Sequence, residues 1–88
     1  MFLHLGANTV VPLKNVISIS DIKAVKSGID NDFLKTVKKA KKTIDVSDGN
    51  PKSFVVTDDF VYFSAISSMT LKKRAVAVAE EEESEDEL

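Results

Sequence analysis

The last nine residues, Glu80 to Leu88, carry seven carboxylates and no base, so they can bury almost nothing and the core must be drawn from residues 1–79. A domain of that length has a thin core, because the fraction of surface buried falls as a chain shortens, and such domains often gain burial by self-association. The same split governs charge. All twelve Lys and Arg lie in residues 1–79 with only seven aspartates against them, so a body of +5 sits beneath an overall charge of −2. A basic body beside an acidic end suits a surface that meets a polyanion and an appendage that competes with it or keeps it soluble. A plain solvated terminus is the other reading that charge leaves open. The expected division is a folded α+β unit over 1–79 and an acidic tail over 80–88, either a frayed helix end or disordered.

Cysteine is absent and histidine occurs once, which removes disulfides and the usual ligand sets for structural zinc. The opening MFLHLG is too short for a signal h-region. No stretch approaches the roughly 20 apolar residues of a membrane span. A soluble cytoplasmic protein with no membrane partner is expected.

Three short β-branched or apolar pieces, Phe2 to Leu5, Val10 to Pro12 and Val16 to Ile19, are separated by Gly6-Ala7-Asn8 and Lys14-Asn15, and read as an antiparallel meander. From Phe33 to Ile44 the period lengthens: Phe33, Val37, Ala40 and Ile44 share one side of an amphipathic helix, and Lys35, Lys38, Lys39 and Lys42 the other. Asp30 or Asn31 offers its N-cap. Asp48-Gly49-Asn50-Pro51 ends that pattern in a turn. Ser53 to Thr57 and Phe60 to Ser64, joined by Asp58-Asp59, read as a hairpin. Ser67 or Ser68 then caps a C-terminal helix through Leu71, Ala75 and Val78. The fold expected is α+β: a small antiparallel sheet, one amphipathic helix and a C-terminal helix.

Catalytic groupings are nearly absent. His4 has no second histidine or cysteine with which to hold a metal or activate a nucleophile. Asp58-Asp59 has the composition of an ordinary turn, and Gly6, Gly28 and Gly49 are too scattered for a phosphate loop. An enzyme is not expected, nor a cofactor or metal. Three basic groups remain: the stripe Lys35, Lys38, Lys39 and Lys42; Lys52 beside Pro51; and the cluster Lys72, Lys73 and Arg74. Such groups bind phosphates without reading bases, although a solvated outer face explains the stripe equally well. The cluster lies in the first turns of its helix, where cations oppose the helix dipole. That placement suits an external anion, with a solvated face as the other reading.

PKSFVVT at 51–57, VYFS at 61–64 and SSMTLKKRA at 67–75 resemble the extracellular matrix regulators RemA and RemB, the RemB-like branch in particular. HLG at 4–6, the VVP strand that follows it and DIKA at 21–24 fit the same pattern. The resemblance takes in most of 1–79 and omits the acidic tail; TLKKRA after the serine pair is its most specific piece. It implies a small α+β domain related to the LytTR type of DNA-binding domain, assembled as a homo-oligomer. Members are regarded as transcriptional regulators of biofilm matrix genes that bind double-stranded DNA without a helix-turn-helix. The RemA branch has an arginine pair at the turn before the penultimate strand. Here that turn reads Gly49-Asn50-Pro51-Lys52, and a lysine lacks the planar fork that grips phosphate bidentately. A module that self-assembles and docks a protein without binding DNA is the alternative.

Overall fold

Positive φ at Ala7 and Asn8, 46° and 61°, folds the N-terminal segment into a hairpin with a two-residue loop, the backbone twist that matches paired strands. The computed structural model describes residues 1–26 and 42–86. In it β1 (Phe2–Gly6) pairs antiparallel with β2 (Thr9–Pro12). His4 faces Val10 and Gly6 faces Thr9, so Leu5 is the extra residue of a bulge. Gly6, at φ 103°, permits that irregular passage into the loop.

A single 3-10 turn, Leu13–Asn15, leads to β3 (Val16–Asp21) and a short α1 (Lys23–Lys26). Beyond residue 41 come β4 (Lys42–Asp45), β5 (Ser53–Thr57), β6 (Phe60–Ser64) and the C-terminal helix α2 (Ser68–Asp86). The four later strands form one sheet in the order β3-β5-β6-β4, separate from the β1-β2 hairpin. The expected meander is therefore divided, with β3 leaving the first hairpin to pair antiparallel with β5. The sheet is also mixed rather than purely antiparallel, because β4 runs parallel to β6.

Every residue of β5 is buried, as befits a strand with neighbours on both sides and both faces covered. On one face Val55 joins Leu3, Leu5, Val11 and Leu71 in the larger apolar cluster, which Ile19, Tyr62 and Ala75 flank. On the other, Phe54, Val56 and Val61 form a second cluster against Ile22 and Phe63. The hairpin β5-β6 is as expected, closed by Asp58-Asp59 and tied by Thr57, whose hydroxyl donates to the Phe60 carbonyl at 2.9 Å and accepts from its N–H at 3.1 Å.

The amphipathic helix expected over 33–44 falls mostly outside the described residues, but its end is corrected. Lys42, Thr43, Ile44 and Asp45 are strand, in parallel register with Phe60 to Phe63. Ladder pairing and two β-branched residues outweigh the helical spacing of Ile44 there. At the other end α2 runs on to Asp86, through residues for which a frayed helix end or a disordered tail is expected. The Ala and Glu of that stretch are good helix formers. Ser67 is its cap, accepting the Thr70 N–H on its hydroxyl at 3.2 Å while its carbonyl accepts from Leu71 at 3.0 Å.

Candidate nucleic-acid interface

Asp45, the last residue of β4, organises the turn that carries Lys52. One carboxylate oxygen accepts the Ser47 N–H at 2.8 Å and the Ser47 hydroxyl, and the other accepts the Gly49 N–H at 2.9 Å. Asp48 and Gly49 both have positive φ, 57° and 84°, which suits an Asp-Gly turn. The Ser47 hydroxyl, with the Ser47 and Gly49 amides, favours the carboxylate and holds the Asp45 pKa below its ordinary value of 3.8.

Lys52 is fixed through its backbone on two sides. Its N–H donates to the Ser64 carbonyl at 2.8 Å, and its carbonyl accepts the Ile22 N–H at 3.0 Å. The ends of β3 and β6 and the start of β5 thus meet at this residue, and its side chain is exposed. Ser53, next along, donates its hydroxyl to the Ile66 carbonyl at 2.7 Å, so the lead into α2 belongs to the same end of the sheet. Lys23 is there too, one residue past Ile22, exposed, its N–H accepted by the Asp21 carboxylate at 2.8 Å. Sequence reading passed over Lys23. Its only signal was Asp21, a residue that turns the chain by capping a following amide.

Along α2, Leu71 is buried and Ala75, Val78 and Ala79 are half-buried, whereas Lys72, Lys73 and Arg74 are exposed. Three consecutive residues span about 200° of a helix, so these cations wrap the outer surface rather than form a single stripe. Among the described residues, none of Lys52, Lys72, Lys73 and Arg74 is paired with a carboxylate.

Lys42 is separated from this group. In β4 it lies beside Phe60, at the Asp58-Asp59 end of β6, whereas Lys52 bonds to Ser64 at the other end. Four residues of strand put about 13 Å between those ends. Lys35, Lys38 and Lys39 lie outside the described residues. Asp58 and Asp59 are an exposed hairpin turn, and His4 is exposed on β1. Among the described residues no three His, Cys, Asp or Glu gather as a metal site, and no helix is long and apolar enough to cross a membrane.

Residues 2–75 match the RemA-like family, described as extracellular matrix regulatory protein A-like. Over 75 residues the chain is 45% identical to Extracellular matrix regulatory protein B of Bacillus subtilis (strain 168), an overlap of 85% of this chain and 90% of that protein. Both names describe regulators rather than enzymes.

Proposed function

This chain belongs to the RemA-like family of extracellular matrix regulators, and from that membership we propose that it is a cytoplasmic, homo-oligomeric transcriptional regulator of biofilm matrix genes that binds double-stranded DNA through its phosphates. The observation that carries the reading is the end of the sheet where Lys52 is held by two backbone bonds while its ammonium group stays exposed and unpaired among the described residues. A cation on a fixed backbone loses less freedom on meeting a phosphate than one on a loose loop. Lys23 leaves the same end, and Lys72, Lys73 and Arg74 follow on the helix that starts beside it.

One copy offers few contacts. Repeated around an assembly, the same cations sum through effective concentration, so an oligomer binds where a single copy would not. The chain has a single arginine, the side chain most used to read guanine, which points to binding dominated by the DNA backbone. The resemblance to a LytTR-type domain fits contact through strand ends and loops.

The test is titration of a labelled duplex at low salt with the native chain and with Lys52→Ala combined with Lys72→Ala, Lys73→Ala and Arg74→Ala. A fall in affinity of at least tenfold across unrelated sequences is expected for the folded variant. No binding by the native chain at low salt would sink the reading in favour of a module that docks a protein.

A further inference from the structure

Residues 72–82 read Lys-Lys-Arg-Ala-Val-Ala-Val-Ala-Glu-Glu-Glu, a charge pattern antisymmetric about Ala77. Three cations and three anions stand at equal distances on either side of five small or apolar residues. Within one helix this arrangement neutralises nothing. Side chains pair at spacings of three or four, yet Lys72, Lys73 and Arg74 find Val76, Ala77 and Val78 four positions on, and Glu80 lies six positions beyond Arg74. The charges also oppose the dipole at both ends of α2, cations toward its start and anions toward its finish.

The outer face is open as well. Lys73, Ala77, Glu80 and Glu81 are exposed on the side away from Leu71, and Val76 beside them is 57% exposed. Arg74, Ala77 and Val78 form one wall of a groove of about 580 Å³. The opposite wall includes Phe2, an aromatic left 58% exposed. Residues 76–88 lie beyond the family match, which ends at 75.

We infer that this face of α2 docks the α2 of a second copy, antiparallel, with the two-fold axis at Ala77. An antiparallel neighbour turned about that axis brings the partner's Glu80 opposite Arg74 and the partner's Glu81 opposite Lys73, and the symmetry repeats both pairs. Ala77, exposed at the axis, lets the helices approach to the short end of the usual 8–10 Å separation. The antiparallel neighbour also sets each dipole against its opposite, removing the mismatch that the charges create in one helix. The occupant follows from this complementarity: the surface is made to fit its own copy. This goes beyond the proposed function: the pair is an association distinct from the DNA-binding assembly and does not depend on DNA binding. Because Lys73 and Arg74 are engaged, the pair is a DNA-free form with which duplex competes.

The test uses the absence of cysteine from the chain. With no DNA present, Ala77→Cys places a thiol at the axis, and a short thiol cross-linker is expected to convert it to a species of twice 9.6 kDa. Met69→Cys lies eight residues from the axis, about 24 Å from its own copy in an antiparallel pair, and stays unlinked. Cross-linking of Met69→Cys would point to a parallel pair, and a monomeric Ala77→Cys would remove the interface; either overturns the inference. In a second measurement, Lys73→Glu with Arg74→Glu and, separately, Glu80→Lys with Glu81→Lys each lose the dimer, while an equimolar mixture regains it. Failure of the mixture to associate also overturns the inference. Larger assemblies with unlinked Ala77→Cys would leave the oligomer and eliminate this interface, whereas loss of duplex binding alone would leave the interface standing.

Discussion

At Ser64 one hydroxyl joins the first strand to the last. It donates to the Leu5 carbonyl at 2.7 Å and accepts the Ile66 N–H at 3.0 Å. The bulge in β1 removes Leu5 from the regular register, so its buried carbonyl takes its partner from elsewhere in the fold. Ser64→Ala leaves both groups without that partner, and chemical denaturation should show a loss of about 1–3 kcal/mol; an unchanged midpoint would mean that water replaces the hydroxyl. Asp45 yields a prediction in pH. Its folded pKa lies below 3.8, so the stability it contributes is fully present above the unfolded value and is lost as pH falls through the folded one. The Gly49 amide resonance should titrate in that acid range in the native chain and not in Asp45→Asn. Lys52, marked by its place beside Pro51, is held through its backbone and exposed, and Lys23, which has the look of any surface lysine in sequence, is exposed at the same end of the sheet. Lys42 was placed on a helix face on spacing alone, and the ladder with Phe60 puts it at the other end of the sheet.

Among the elements, those legible in sequence are the ones fixed by local chemistry. The hairpin over 53–64 and the loop at Ala7-Asn8 depend on neighbours within a few residues, and Ser67 caps the helix that its position announces. What escaped is non-local. Nothing in the residues of β4 says that they pair parallel with β6, or that β3 leaves the first hairpin for β5, since those choices depend on partners more than ten residues away. The acidic run leaves a frayed helix end and a disordered tail both open, and α2 runs through it to Asp86, as Ala and Glu favour helix. Leu71 is the residue of α2 in the larger cluster that is fully buried. Leu71→Ala should cost about 2–5 kcal/mol and loosen α2 from β1, seen as faster amide exchange along Ser68 to Ala79; protection equal to the native chain would show that the helix is held by other contacts. Truncation after Ala79 removes the carboxylates proposed to compete for Lys73 and Arg74, so on this reading it should tighten duplex binding at low salt, with the gain shrinking as salt screens both interactions. Equal affinities at low salt would make the segment a solvated appendage.

For the molecule as a whole, a fold of two small apolar clusters around one buried strand presents exposed cations at one end of the sheet and along the helix that begins there. Family membership makes it a regulator, and that charge distribution supports DNA as what it meets. The interaction proposed is one of counterion release: each phosphate neutralised adds about 0.9 to the slope of log affinity against log salt. The most direct measurement is therefore duplex affinity across a salt series for the native chain and for the variant lacking Lys52, Lys72, Lys73 and Arg74. The account predicts a steep linear decline for the native chain, with a slope clearly reduced in the folded variant and the same on unrelated sequences. A duplex affinity that does not change with salt, or a variant with the native slope, would contradict it.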